Sequence, residues 1–309
     1  MRSLGAWFFA PMPAARIAMV RLLVGLYGCI YLVVRLPHFW SYGLDDLDRF
    51  VPVGVVAWAD APMLPELYRA ILLVTVALSF SFFLGVRHRV LAPTYALGLL
   101  FCLTHSNSWG KILHTDNLFL LYVIVLAAAP SADALSRDAL RRQAKGTDPP
   151  PEDGRHGWPI RLMTLVCAVA YLLAGIAKLK NSGLDFAQGD TLRNYVAFDN
   201  LRKLQLGSVY SPIGAWLLPY AGFFSMLAWV SYVLELVAPL VCFWRRAGRI
   251  WCVLVWGFHF GVLVLMAISF AFQLTFIAFA PFFDVEKLAT RKRVKALLER
   301  LRLVPAQTG

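Results

Sequence analysis

The feature that most constrains this chain is a series of apolar stretches, each close to the length that crosses a membrane. A helix needs roughly 20 apolar residues to cross about 30 Å of hydrocarbon, and a spanning segment must satisfy its own backbone hydrogen bonds. The chain carries about eight such stretches, at 14–35, 67–85, 90–105, 117–130, 160–178, 221–243, 250–268 and 271–283. The sequence therefore predicts an all-α, polytopic membrane protein with about eight transmembrane helices in one bundle.

Some of these stretches leave the number of crossings open. The stretches 90–105, 117–130 and 271–283 are short for a simple span, so an alternative has about six or seven full crossings with some re-entrant segments. The first stretch does not resemble a cleaved signal peptide, because Arg16 and Arg21 interrupt it and no small-residue cleavage pattern follows. We expect it to remain as the first span.

Composition and charge distribution agree with this class of protein. Hydrophobic residues make up 59% of the chain and charged residues 16%, against about 45–50% and about 25% in soluble domains. With eight spans, 20 of the 30 Lys and Arg residues fall on the side that carries both termini. Because cytoplasmic loops retain Lys and Arg, we predict an inner-membrane protein with cytoplasmic N- and C-termini. The net charge of +12 is explained by topology, and no nucleic-acid partner is expected.

The distribution of apolar stretches and basic residues divides the chain into a transmembrane domain over residues 1–290 and a basic cytoplasmic tail over 291–309. Leu288, Val294, Leu297, Leu298 and Leu301 lie among basic residues in 284–304. Two interpretations are open: an amphipathic helix on an anionic leaflet or a solvated charged tail. The five cysteines all lie within predicted spans and show no C-x-x-C spacing. We therefore expect neither a disulfide nor a metal site.

Ionisable residues at membrane depth are costly and so indicate function. Glu235 and His259 lie inside predicted spans, Arg21 lies more than a turn inside the first, and Lys178 ends the fifth. Each has a structural alternative: Glu235 paired with Arg21 to fix helix packing, His259 as a neutral core histidine, and Lys178 as an interfacial anchor. Arg16, nearer the first span's start, is expected to extend to the headgroups.

A second group of polar residues lies in the loop 104–117, which includes Trp109 and His114. By the charge distribution this loop faces the same, extracytoplasmic side as Lys178. A cavity between the helices and this loop would hold the apolar tail of a quinone or lipid and present its head to His and Lys side chains. The lipid bilayer and such a ligand are the partners that the sequence predicts.

The run Ala-Gly-x-x-Lys-Leu, here Ala174, Gly175, Lys178 and Leu179, ends the fifth predicted span. Further distinctive segments occur in order along the chain, at 14–21, 84–89, Ser108-Trp109 with His114, Phe258-His259 and 279–283. In these segments the sequence resembles the membrane portion of vitamin K-dependent gamma-glutamyl carboxylases and of the horizontally transferred transmembrane (HTTM) domain proteins. The likeness covers about residues 10 to 290, and the Ala-Gly-x-x-Lys-Leu run is its most specific element.

The resemblance implies an enzyme that oxidises reduced vitamin K or menaquinol with O2, and that uses CO2 if it is a carboxylase. It implies that Lys178 is the base and that His114, which is two residues further from Trp109 than in the family, is also catalytic. We predict the substrate's other contacts at Trp109, His259, Glu235 and Arg21.

A second function stays open. The family's carboxylases continue into a large lumenal domain, whereas this chain ends in its basic tail, so carboxylation of protein glutamate is not expected. The alternative to a lyase- or oxidoreductase-type enzyme is a non-catalytic membrane protein. It would bind a lipid or a hydrophobic peptide, for instance in peptide or toxin maturation or export.

Overall fold

A computed structural model describes residues 4–42, 47–110, 114–147, 152–188 and 190–305. Nearly all of the regular structure is helical, which confirms the all-α prediction. The chain separates into two compact units. Unit 1 consists of Met1–Met163 and Asp284–Gly309, and unit 2 consists of Thr164–Phe283.

The α-helices in chain order are α1 Leu4–Phe8, α2 Ala14–Val34, α3 Leu36–Trp40, α4 Pro65–Leu84, α5 His88–Asn107, α6 Asn117–Ala128, α7 Arg137–Gln143, α8 Gly154–Ser182, α9 Asp190–Gln205, α10 Pro212–Leu217, α11 Ala221–Leu236, α12 Ala238–Val241, α13 Arg245–Met266, α14 Ala271–Leu274 and α15 Lys292–Arg300. Short 3-10 helices lie at Leu47–Arg49, Gly54–Val56, His114–Asp116, Gly183–Gln188, Ile277–Phe282 and Val285–Leu288. Two short strands, β1 Met12–Pro13 and β2 Glu152–Asp153, pair antiparallel, with Met12 opposite Asp153.

Four of the described helical segments are long and apolar enough to cross a membrane. They are α2, α4, the segment Gly154–Ala187 that contains α8, and α13, and α6 and α11 are shorter apolar helices. The predicted stretch 271–283 is not one helix. It is divided at Phe276, whose φ of 66° is left-handed and does not continue an α-helix.

Within unit 1, the side chain of Arg21 on α2 binds the end of α4 and the loop after α6. Its side chain is fully buried, and its guanidinium donates to the carbonyls of Phe82 at 2.9 Å, of Phe83, of Ser131 at 3.0 Å and of Leu135 at 2.6 Å. The last carbonyls of a helix have no donor within the helix. Arg21 on α2 therefore completes the hydrogen bonding of α4 and fixes the loop that follows α6.

Arg16 and the tail also belong to unit 1. Arg16 donates to Asp284 at 2.5 Å and to Glu286 at 2.6 Å, so the expectation that it extends to the headgroups is wrong. The tail forms the helix α15, in which Leu298 is buried. The helical part of the tail interpretation thus agrees with the structure, while its position on a leaflet stays a prediction.

In unit 2, three polar side chains satisfy the last carbonyls of α13, those of residues 264–266. Ser211 donates to the first at 2.5 Å, Asn200 to the second at 2.9 Å, and Lys203 to the third. Ser211 also caps α10, since its hydroxyl accepts from the Gly214 N–H at 2.9 Å. These bonds fix α9 and α10 against the end of α13.

Asp199 adds a charge cluster on α9. Its carboxylate is 2.8 Å from both Arg202 and Lys203. Burial raises the pKa of Asp199, but the hydrogen bonds from Lys203 and Arg202 outweigh it, so the pKa lies below its ordinary value. Asp199 is therefore held as a carboxylate that fixes Lys203 near the end of α13.

Candidate functional site

Unit 2 contains a cavity of about 570 Å³ that is lined by α8, α9, α11 and α13. Most of the lining side chains are apolar, and the polar groups include Lys178 and Ser231. Two glycines of α13, Gly257 and Gly261, form part of the wall, and a Cβ added at either would meet no atom within 4 Å. A pocket that is largely apolar with few polar groups is typical of a site for an amphipathic ligand.

Lys178 supplies the positive group of this cavity. Its Nζ donates to Glu235 Oε1 at 2.6 Å and to Ser231 Oγ at 3.2 Å. The same nitrogen lies 5.0 Å from the ring centre of Phe186 and 5.6 Å from that of Phe258, within the range of cation–π attraction. The amine is thus held from several sides, and 23% of the side chain is exposed.

Glu235 is the buried partner of Lys178. Its side chain is only 5% exposed, and its second oxygen, Oε2, has no hydrogen-bond partner in the described part of the chain. A buried carboxylate oxygen without a donor carries a large desolvation cost. A proton on Glu235 would remove that cost.

Gly175 makes the contact between Lys178 and Glu235 sterically possible. It precedes Lys178 by three residues on α8, so the two lie on neighbouring positions of one helix face. A Cβ at Gly175 would come within 3.1 Å of Glu235 Cβ and within 3.0 Å of Leu236 Cδ2. The spacing Gly-x-x-Lys therefore allows α11 to approach α8 at the level where Glu235 meets the amine.

His259 lies behind the cavity. Its Nε2 is 2.7 Å from the hydroxyl of Tyr171, and its side chain is buried. It is not among the described residues that line the cavity. Trp251 packs edge-on against Tyr171 and donates to the Leu234 carbonyl at 2.8 Å. The His259–Tyr171 bond therefore supports the helices that carry Lys178 and Glu235, and a contact with substrate stays a prediction.

The other predicted site residues belong to unit 1. Trp109 stacks on Tyr42, with ring centres 6.0 Å apart. Arg21 is occupied by backbone carbonyls, so the suggested Arg21–Glu235 pair is wrong, and Glu235 pairs with Lys178. His114 begins a 3-10 helix, and its side chain lies outside the described residues. The structure thus brings together Lys178 and Glu235 of the predicted set.

Ser231 and the rings of Phe186 and Phe258 were not predicted as site residues. Ser231 precedes Glu235 by four residues, so both project from the same face of α11. This spacing is a signal that sequence reasoning could have used. Phe186 follows the end of α8 in a 3-10 helix, and no simple periodicity relates it to Lys178.

Comparison with protein families finds a match to the HTTM domain over residues 9–286. The matched range includes α8, α11 and α13, which carry Lys178, Glu235 and His259. Comparisons with curated proteins and with solved structures find no match.

Proposed function

Because this chain belongs to the HTTM domain family, we propose that it is an integral membrane enzyme in which Lys178 acts as a base on a quinol. The observation that carries this proposal is the position of the Lys178 amine. It lies at the cavity of unit 2, among largely apolar walls, and 2.6 Å from a buried carboxylate. The resemblance to vitamin K-dependent carboxylases points to the same residue.

The cavity suits reduced vitamin K or menaquinol. Its volume of about 570 Å³ lies within the usual range of about 300–1,000 Å³ for ligand pockets. Apolar walls can take up an isoprenoid tail, and the Lys178 amine and the Ser231 hydroxyl can hydrogen-bond a ring hydroxyl. Phe186 and Phe258, which flank the amine, can pack against a flat ring.

The Lys178–Glu235 pair can prepare the base. Lys178 accepts a proton only after it has lost its own, and Glu235 Oε1 is close enough to receive that proton directly. The pair then consists of a neutral amine and a neutral carboxylic acid. The amine takes the proton of the substrate hydroxyl, and Ser231 holds the amine in position.

When bound, the quinol supplies the electrons for reducing O2 and takes up one oxygen atom as an epoxide, while the other leaves as water. CO2 is a further substrate if the enzyme is a carboxylase. The resemblance also implies a catalytic role for His114, and that role is part of the proposal. His259 is proposed to act through Tyr171, and Trp109 and Arg21 to support the fold from unit 1.

The finer topology belongs to the same proposal. It has about eight crossings in one bundle, both termini in the cytoplasm, an inner-membrane location and a cavity that opens to the extracytoplasmic side. The support is the uneven distribution of charge, with 20 of the 30 Lys and Arg residues on the terminal side of that arrangement.

The test is to incubate the purified protein in nanodiscs with menaquinol and O2, and to measure the epoxide by mass spectrometry. Lys178→Met should abolish product formation. Lys180→Met is the matched control, because Lys180 is exposed on the same helix and is not among the described lining residues. Product formation by Lys178→Met at the native rate would refute the role of Lys178.

The largely apolar lining also favours a second candidate, passive binding of a lipid or a hydrophobic peptide during peptide or toxin maturation or export. Gly257→Leu separates the two candidates, because it fills the cavity from a wall position where space is free. For a passive binder, Gly257→Leu weakens ligand binding, Lys178→Met leaves it nearly unchanged, and no epoxide accumulates. For the enzyme, both substitutions stop epoxide formation.

A further inference from the structure

A second cavity lies in unit 1, where α5 begins and α6 ends. Its volume is about 800 Å³. The described lining combines apolar residues at the end of α6 with polar residues of α5, α7 and the start of α8. Its charged members are Arg89, Asp133, Asp138, Arg142 and Arg155. Three arginines therefore share this cavity with two aspartates.

The two aspartates already have partners within the fold. One carboxylate oxygen of Asp133 lies 3.0 Å from Nε2 of His156, and the other lies 3.4 Å from Nη2 of Arg142. Asp138 accepts hydrogen bonds from two backbone N–H groups at the start of α5, at 3.0 and 2.8 Å. Neither acid therefore requires a cationic ligand.

The arginines, in contrast, keep donors that a ligand can reach. Arg89 is exposed and has no hydrogen-bond or ion-pair partner in the described part of the chain. Arg155 is 56% exposed and donates only through Nε, to Asp153 at 2.8 Å. Arg142 is 31% exposed and donates through Nη2 to the Ala132 carbonyl at 2.6 Å. Each guanidinium thus retains at least one nitrogen that no described residue binds.

These donors indicate the charge of the ligand. A guanidinium is permanently charged, and its planar set of N–H groups matches the oxygens of a phosphate group. A cationic ligand would be repelled by three arginines, and a neutral one would leave their free donors unpaired. An anion that offers several oxygens to different guanidinium groups satisfies them together.

The apolar part of the lining indicates what the phosphate is attached to. Residues 127–130 are alanines and a proline, and Trp158 lies at the same cavity. Tryptophan is frequent at the depth of lipid headgroups, and basic pockets between membrane helices on the cytoplasmic side bind anionic headgroups. The lining therefore suits a phosphate that carries an organic group.

We infer that this cavity binds a phosphate ester, with Arg89, Arg142 and Arg155 as its hydrogen-bond donors. The site uses none of the residues around Lys178 and does not depend on the proposed enzyme activity. The phosphate can belong to a phospholipid headgroup or to a free phosphate ester, because both present the same group.

The test uses the full-length protein in detergent and two phosphate probes, glycerol 3-phosphate and dioctanoylphosphatidic acid, with binding followed by calorimetry. Glycerol and dioctanoylglycerol are the matched controls, since each lacks only the phosphate. We expect saturable binding of at least one phosphate probe, and binding of its control that is at least about tenfold weaker. If neither phosphate probe binds saturably, or if the controls bind equally tightly, the inference is overturned.

Two arginine variants test the donors directly. Arg89→Gln and Arg155→Gln should each weaken binding of the tighter probe by about five- to tenfold, and circular dichroism should show that both variants are folded. Arg49→Gln is the matched control, because Arg49 is exposed and lies near the opposite end of α5, where the Val51 N–H donates to the Ser108 carbonyl. Unchanged affinity in both arginine variants, or an equal loss in Arg49→Gln, would contradict the proposed donors.

The ratio of the two affinities distinguishes the sources of the phosphate. If the natural ligand is a lipid headgroup, dioctanoylphosphatidic acid should bind at least about tenfold more tightly than glycerol 3-phosphate, because its acyl chains bury additional apolar surface. If the natural ligand is a free phosphate ester, the two affinities should agree.

Discussion

Replacing Lys178 by Met should destabilise the protein more than replacing Lys178 and Glu235 together by apolar residues. In Lys178→Met the carboxylate of Glu235, which is 5% exposed, loses the donor to Oε1, while Oε2 already has none among the residues that the structure describes. Breaking a buried pair from one side costs about 3–5 kcal/mol. We expect about 3 kcal/mol, since Lys178 keeps some exposure and protonation of Glu235 relieves part of the cost.

The two remaining variants, Glu235→Leu and the double variant, should each be destabilised less than Lys178→Met. Glu235→Leu should cost about 1–2 kcal/mol, because Lys178 retains Ser231 and is 23% exposed. The double variant should lose at most about 1 kcal/mol, because exchanging a whole buried pair for apolar residues is often neutral. The assay is denaturant unfolding in mixed micelles, followed by circular dichroism. If the double variant loses the sum of the two single losses, the pair is not coupled and the reasoning fails.

Three further outcomes concern stability. Gly175→Val should lower the free energy of unfolding by about 1–3 kcal/mol because its side chain collides with α11, while Gly222→Ala, where a Cβ meets no atom within 4 Å, should be neutral or gain up to about 1 kcal/mol. Arg21→Met should cost about 3–5 kcal/mol by leaving buried carbonyls without donors, and near-native stability would contradict its structural role. Since the pKa of Asp199 is lowered in the fold, its stabilisation is present above the ordinary carboxyl pKa of about 4 and is lost as pH falls through the folded value. Asp199→Asn should therefore flatten the acid side of the stability profile, and an unchanged profile would exclude a contribution from Asp199.

The longest helices were predictable because an apolar run bounded by charged, Pro or Gly residues leaves few alternatives. The stretches 14–35 and 67–85 differ from α2 and α4 by at most a few residues at either end. The prediction of a single span over 271–283 was wrong, because the composition is that of a buried segment but Phe276 adopts a left-handed backbone conformation. Hydropathy indicates which residues are buried, but it does not show which single residue adopts a backbone conformation that ends a helix.

The site was predictable only in part. Lys178 and Glu235 were both identified, but their pairing was not, because a sequence shows which residues are costly to bury and not which helices face each other. Arg21 was expected to need an acid, yet backbone carbonyls at a helix end satisfied it.

The closeness of Lys178 and Glu235 has a consequence for energised membranes. A proton that moves between Nζ and Oε1 travels no more than 2.6 Å, less than a tenth of the roughly 30 Å hydrocarbon thickness. A unit charge that crosses a potential of 100 mV changes in free energy by about 2.3 kcal/mol. The same potential would therefore change the free energy of this short proton transfer by only about 0.2 kcal/mol. The protonation balance within the pair should therefore be nearly the same whether or not the cell maintains a membrane potential.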